Sequence, residues 1–282
     1  MSMRVLITGG SGMLAQDIVH AATAAGHDCL PVGHAELDIT DRSEVRDAVA
    51  AAAPHVVLNC AAWTDVDGAE TDEPSAAAVN GAGAGNVAGA ARTCGAWTIH
   101  ISSDYVFDGA KRSPYIESDP TSPLSAYGRS KLAGEHAVAA EAPGAHTIVR
   151  TSWLFGAGGR CFPGTILRLA GERDQLSVVN DQVGCPTFTG HLATALLELA
   201  ETRPSGILHV AGEGACSWYE FAREIVATAG LECEVRPTTT AEQRRPAPRP
   251  AYSVLGSERG ESPSLPPWQA GLRAYMSVGL RS

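Results

Sequence analysis

Tyr127 and Lys131 stand four residues apart in a segment of helical character, Ser125–Ala140, and that spacing puts both side chains on one face. A phenol with a pKa near 10 gives its proton only to a fairly basic oxygen. A neighbouring ammonium stabilises the phenolate and is expected to lower that pKa, each unit being worth about 1.4 kcal/mol. Such a pair suits protonation of a ketone oxygen while hydride arrives at its carbon. A surface tyrosine beside a solvated lysine shows the same spacing, so the pair needs a setting. Ser103 supplies part of one. It follows the strand-like run Trp97–Ser102, at the edge of the sheet where open α/β folds bind ligands, and its hydroxyl can bond a substrate carbonyl oxygen.

The elements that must position these groups alternate along the first half. Strand-like runs at Arg4–Thr8, Asp28–Val32, His55–Asn59, Trp97–Ser102 and Thr147–Thr151 are separated by helical stretches at Met13–Ala25, Glu44–Ala53 (with Ser43 as cap), Pro74–Thr93 and Ser125–Ala140. Repeated β-α units of this length predict a Rossmann-like, doubly wound parallel sheet in the α/β class, joined by right-handed crossovers. After residue 153 the pattern changes. Helical signals at Thr165–Gly171, His191–Thr202 and Ser217–Gly230 alternate with short strands at Leu176–Asn180 and Gly206–Ala211, before a proline- and arginine-rich stretch, Arg244–Pro250. Two units are expected: residues 1–152 for a dinucleotide and 153–282, a smaller α/β unit interwoven with the first, for the substrate.

Thr8-Gly9-Gly10-Ser11-Gly12-Met13-Leu14-Ala15 follows the first strand and opens the first helix. The spacing departs from G-x-G-x-x-G but keeps its mechanics: small residues make the tight turn and admit a pyrophosphate to the helix N-terminus. The second strand runs into Val32-Gly33-His34, without the carboxylate that holds the ribose 2′-hydroxyl in NAD-specific enzymes. NADPH, or either NADPH or NADH, is therefore the expected cofactor. Asp38-Ile39 has two readings, an adenine contact or the start of a capping turn.

Composition removes other classes. The chain has 282 residues, a formal charge of −10 and a pI near 5.3, which argues against a nucleic-acid binder and against an anionic membrane surface. Seven scattered cysteines, without a Cys-x-x-Cys pair or zinc spacing, read as free thiols of a cytoplasmic protein. Met1–Gly10 lacks the apolar core of a signal peptide, and no apolar run is long enough to span a membrane.

Taken together these residues resemble the extended short-chain dehydrogenase/reductase superfamily, and within it the dTDP-4-dehydrorhamnose reductase family. Asn59–Glu70 is similar to that family's N-A-A-x-T-x-V-D-x-A-E segment, Ser102–Phe107 to S-T-D-Y-V-F, and Tyr127–Glu135 to Y-x-x-x-K-x-x-G-E. Arg150–Trp153 resembles R-T-[SA]-W, and Asp181–Thr187 resembles D-Q-x-G-x-P-T. The resemblance spans nearly the whole chain. It implies reduction of the 4-keto group of a dTDP-linked deoxysugar, most simply dTDP-4-dehydrorhamnose, with a related natural-product ketoreductase or a non-catalytic cofactor-binding subunit as alternatives. It implies catalytic roles for Ser103, Tyr127 and Lys131. Gly9, Gly12, Met13, Leu14, Asp38, Ile39, Ala61 and Ala62 match cofactor-side positions, to which Tyr127 and Lys131 also belong. Ser103, Asp104, Tyr105, Trp153 and Arg249 are its substrate-side candidates. Trp153 offers a flat wall for a sugar or base, or fills a domain interface. Arg249 forks onto a diphosphate, or belongs to an exposed polyproline-like loop. Ser103 stands where the family usually has threonine. Family members are described with a magnesium ion at a dimer contact; its acidic residues find no match here, so no metal is expected, and a homodimer stays open.

Overall fold

The computed structural model describes residues 2–279. Five strands of the first half, β1 (Arg4–Thr8), β2 (Asp28–Val32), β3 (Val56–Asn59), β4 (Trp97–Ser103) and β5 (His146–Thr151), lie in one sheet. Two later strands, β6 (Gln175–Val179) and β8 (Glu234–Thr238), pair in parallel apart from it, whereas β7 (Gly206–His209) returns to its edge. The sheet order is β7-β5-β4-β3-β1-β2, parallel throughout. Strands β3 and β5 are buried from end to end and β4 from Thr98 onward, so the polar residues that β4 and β5 carry, such as His100, Ser102 and Arg150, are buried with them.

The helices are α1 (Met13–Ala24), α2 (Arg42–Ala52), α3 (Glu73–Ala77), α4 (Ala84–Thr93), α5 (Ala126–Glu141), α6 (Phe162–Glu172), α7 (Thr189–Thr202), α8 (Trp218–Ala229) and α9 (Trp268–Gly279). In α1, Leu14, Ala15, Ile18 and Ala22 fall on one stripe and enter the main core. The cap of α2 is Asp41 rather than the expected Ser43: its carboxylate accepts from the Ser43 and Glu44 amides. Ser125 caps α5 through the Gly128 amide, and Ser217 with Glu220 forms a capping box on α8.

The single helix expected over Pro74–Thr93 is interrupted. Ala78–Gly83 widens into a π-turn between α3 and α4. The widening lets buried Asn80 leave the helix ladder: it accepts from the Trp63 amide at 2.9 Å and donates to the Ser130 hydroxyl at 2.9 Å. Helix α5 crosses tightly there; a Cβ on Gly134 would lie 2.1 Å from the Asn80 carbonyl oxygen. Alanine-rich composition suggests a continuous helix and carries no sign of this local demand.

Past residue 153 the chain builds a second core from Phe155, α6, β6, α8 and α9. It also crosses back: Leu192, Leu196, Leu199 and Leu208 pack into the first core against Ile18 and Val5. Helix α9 had no counterpart in the sequence reading.

One polar cluster is sealed inside this frame. Glu135 of α5 accepts from Arg150 of β5 at 2.9 and 2.7 Å and from the Ser102 hydroxyl of β4 at 2.5 Å, with both charged side chains only 3% exposed. Glu135→Ala strands a buried guanidinium and is expected to cost about 3–5 kcal/mol in urea unfolding, whereas replacing both charges, Glu135→Leu with Arg150→Met, restores much of it. Equal stability of Glu135→Ala and the parent would contradict this.

Candidate active site

The carboxyl ends of β1, β3, β4 and β5 open onto one cavity of about 720 Å³. Ser103 ends β4 opposite Thr151 of β5, and α5 brings Tyr127 and Lys131 to the same edge. Gly12, Met13, Leu14, Ala62, Asp104, Tyr105 and Trp153 also line it.

At the cofactor side, Gly9 adopts φ +68°, and a Cβ there would sit 2.7 Å from the Ala61 nitrogen. The turn therefore lies directly on the backbone of Cys60 and Ala61, just after β3, which leaves no room for a side chain at Gly9. Helix α1 begins at Gly12 without a side-chain cap and without an acidic residue in its first turn. Uncapped amides at an open helix end suit a phosphate, so the residues present fit a dinucleotide.

Asp38 and Ile39 are not brought to this cavity. The Asp38 carboxylate accepts from the Thr40 amide and hydroxyl at 2.9 and 2.8 Å, the capping-turn alternative, and that local bonding holds its pKa below the usual carboxylate range. Ile39 is a buried side chain of the core between α2 and α4. Conversely, the missing carboxylate at the end of β2 is present in space. The chain turns at Gly33 so that Glu36 Oε2 accepts from the Gly33 amide at 2.7 Å, and a Cβ on Gly33 would lie 3.5 Å from that oxygen and 3.7 Å from Ser11 Oγ. The signal was a glutamate three residues after Gly33, within reach of its amide across a tight turn, rather than a carboxylate at the strand end itself.

The titrating groups depart from the simple expectation of a depressed phenol. Burial, reinforced by the Asp104 charge, pushes the Tyr127 phenol up to about 12, with the Ser103 hydroxyl partly opposing. Lys131 does not offset this. Its Nζ donates to the Ile101 carbonyl at 2.6 Å, and burial pulls the ammonium down to about 8 against the attraction of Glu135 and Cys60. Tyr127 therefore holds its proton throughout the neutral range, as a proton donor must.

On the substrate side, Ser103 Oγ donates to Asp104 Oδ1 at 3.0 Å and accepts from the Tyr105 amide at 3.2 Å. Asp104 is buried and pushed up to about 6, chiefly by desolvation. Its Oδ2 and the Thr151 hydroxyl, both on residues lining the cavity, have no hydrogen-bond partner among the described residues. Tyr105 meets Tyr127 edge to face at 5.5 Å.

Trp153 is placed at a cavity wall and is also packed against a neighbouring ring: it stacks on Trp218 of α8, with ring centres 3.5 Å apart and planes 4° from parallel. Its φ of +47° is rare for a bulky residue. Nothing in the sequence of the helical stretch Ser217–Gly230 singles out Trp218. Arg249 is not in the main cavity. It lines an adjoining one of about 440 Å³, which shares the Phe162 and Trp218 walls. The stretch around it is a largely exposed loop, with Arg244, Arg245, Pro246 and Pro248 at the surface, but the Arg249 side chain itself is only 12% exposed, pairs with Asp67 at 3.0 Å and donates to the Ala247 carbonyl at 2.9 Å. Asp67 also accepts from Arg245 and the Ala247 amide, tying 245–249 to the first unit. Among the described residues no group of three His, Cys, Asp or Glu side chains is placed to hold a metal ion.

Comparison with known proteins agrees with this geometry. Residues 3–279 match the family model described as the RmlD substrate binding domain. The chain is 44% identical over 278 residues to a probable dTDP-4,6-dihydroxy-2-methyloxan-3-one 4-ketoreductase of Streptomyces antibioticus, covering 96% of this chain and 94% of that protein. It is also 44% identical over 278 residues to the dTDP-4-dehydrorhamnose reductase of Streptomyces griseus, covering 95% and 91%. The crystal structure of dTDP-4-dehydrorhamnose reductase from Bacillus anthracis in complex with NADP superposes with a TM-score of 0.95 at 38% identity, covering 99% of this chain and all of that one. Matched by the family model over residues 3–279 and by relatives over nearly its full length, the chain, with its Rossmann-like parallel sheet, belongs to the RmlD family of extended short-chain dehydrogenases/reductases.

Proposed function

We propose that this protein is an NAD(P)H-dependent reductase of the 4-keto group of a dTDP-linked deoxysugar, with dTDP-4-dehydrorhamnose as the leading substrate. The observation that carries the reading is the opening of Ser103, Tyr127 and Lys131 onto the same cavity as the uncapped start of α1. The Streptomyces antibioticus relative, equal in identity to the rhamnose reductase, keeps a related ketoreductase of another dTDP-sugar as the second reading.

In this reading Gly9, Gly12 and Met13 receive the diphosphate of the nicotinamide cofactor and Ala62 flanks its path, while the bound cofactor supplies hydride. Ser103 Oγ orients the ketone oxygen, and the Tyr127 phenol donates its proton to that oxygen. Lys131 holds ribose hydroxyls and stabilises the phenolate as it forms. Asp104 Oδ2 and Thr151 accept or donate to sugar hydroxyls. Trp153 and Trp218 wall the sugar, and Arg249 lies toward the nucleotide arm. Residues 1–152 are taken as the cofactor unit and 153–282 as the substrate unit, sharing the segment that crosses back. Among the described residues no helix is long and apolar enough to cross a membrane, and all seven cysteines are free; a cytoplasmic enzyme is the natural setting.

Incubation with dTDP-4-dehydrorhamnose and NADPH or NADH, followed by product identification, is expected to yield dTDP-L-rhamnose; turnover only of a different dTDP-4-keto sugar would shift the assignment to the second reading. Tyr127→Phe removes the proton donor and is expected to lower kcat by about 100-fold or more. Activity near that of the parent would overturn the mechanism. Lys131 loses its proton as pH rises through about 8 and Asp104 gains one as pH falls through about 6. The kcat/KM profile is therefore expected to fall on both sides, and Asp104→Asn to remove the acidic limb alone. Glu36 presents a negative charge where an NADPH 2′-phosphate would lie. Glu36→Gln is expected to raise kcat/KM for NADPH relative to NADH by about three- to tenfold, the size of a partly screened charge repulsion; an unchanged ratio would remove Glu36 from cofactor choice.

A further inference from the structure

The 720 Å³ cavity contains two cationic side chains, Lys131 and Arg160. Lys131 is buried and engaged with the Ile101 carbonyl. Arg160 is exposed at the mouth and makes no hydrogen bond or ion pair among the described residues. It ends the segment Gly156-Ala157-Gly158-Gly159-Arg160, between the short strand Leu154–Phe155 and α6, and so comes from the second unit. Yet the segment lies against the start of α1. Gln16 Nε2 donates both to the Ser11 carbonyl at 3.0 Å and to the Gly158 carbonyl at 3.1 Å. A Cβ on Gly159 would meet Met13 Cβ at 3.4 Å. Just behind, the Thr189 hydroxyl donates to Asp17 of α1 and to the Phe155 carbonyl, at 2.5 and 3.2 Å, fixing the strand from which the segment departs.

The electrostatics at this point are incomplete. A dinucleotide diphosphate is dianionic, and a helix N-terminus offers only about half an elementary charge. Helix α1 adds no basic side chain at its start, and the protein as a whole is acidic. A guanidinium is the group best suited to fork onto phosphate oxygens. We propose that Arg160 binds the diphosphate of the nicotinamide cofactor from the side opposite the Gly9–Met13 turn. The second unit thereby contributes directly to cofactor binding. The inference rests on the reading of this cavity as a dinucleotide site.

The test is equilibrium binding, by titration calorimetry, of NADH and separately of dTDP, to the full chain and to Arg160→Gln and Arg160→Lys. The expected result is that Arg160→Gln raises the NADH Kd about tenfold, the loss of one charge-assisted bond near solvent. Arg160→Lys recovers part of that loss, raised salt weakens NADH binding less in Arg160→Gln than in the parent, and the dTDP Kd stays within about twofold. Tm comparable to the parent's guards against misfolding. An unchanged NADH Kd would overturn the proposal, as would a loss confined to dTDP, which would assign Arg160 to the substrate's diphosphate. A parallel loss of both affinities would mark a structural role instead and equally overturn it. Failure of the parent itself to bind NADH or NADPH would overturn the dinucleotide reading, and this inference with it.

Discussion

The position of the reactive groups depends on a buried ion pair that never meets substrate. Glu135 lies one helical turn beyond Lys131 on α5, and its carboxylate joins Arg150 on β5 to Ser102 on β4. Helix α5 is thus fixed to the two strands whose ends form the cavity floor. An isolated buried charge costs several kcal/mol, so the pair tolerates little displacement of either partner. The neighbouring Lys131–Ile101 bond depends on the same docking, because Ile101 precedes Ser102 on β4. Restraint of Ser103, Tyr127 and Lys131 comes from beneath, through groups with no part in the chemistry.

Burial also decides the protonation states. A Tyr-x-x-x-Lys pair considered in isolation suggests a lysine that lowers the phenol pKa. In the folded protein desolvation wins: the phenol rises and the ammonium falls. The two shifts are compatible with a reductase, since a phenol that retains its proton is ready to give it to a developing alkoxide. The acidic neighbour Asp104 pushes in the same direction.

The β-α alternation of the first half was legible because most strands are short β-branched runs and helices such as α1 and α2 bury a periodic apolar stripe, although β2 is largely exposed and α5 buries a polar face. Tyr127, Lys131, Ser103 and the Gly-rich turn were legible because their local spacing encodes their placement. Features that require two distant segments were not. Asn80 needs Trp63 and Ser130 before its π-turn makes sense. Trp218 acquires a role only when β5 delivers Trp153 to its face. The Asp67 tie to Arg245, Ala247 and Arg249 joins residues about 180 positions apart, and no periodicity reports it. Glu36 was overlooked for the opposite reason: the reading looked for a carboxylate at a fixed place in sequence, whereas a tight turn supplied one three residues later.

The return of α7 and β7 to the first sheet has a mechanical consequence. The chain passes from the first core to the second and back to the first before completing the second. Two units laced together in this way have no single hinge about which one swings freely over the other. The segments at the rim are themselves anchored, 156–160 through Gln16 to Gly158 and 245–249 through Asp67, so the width of the cleft is fixed by the same lacing.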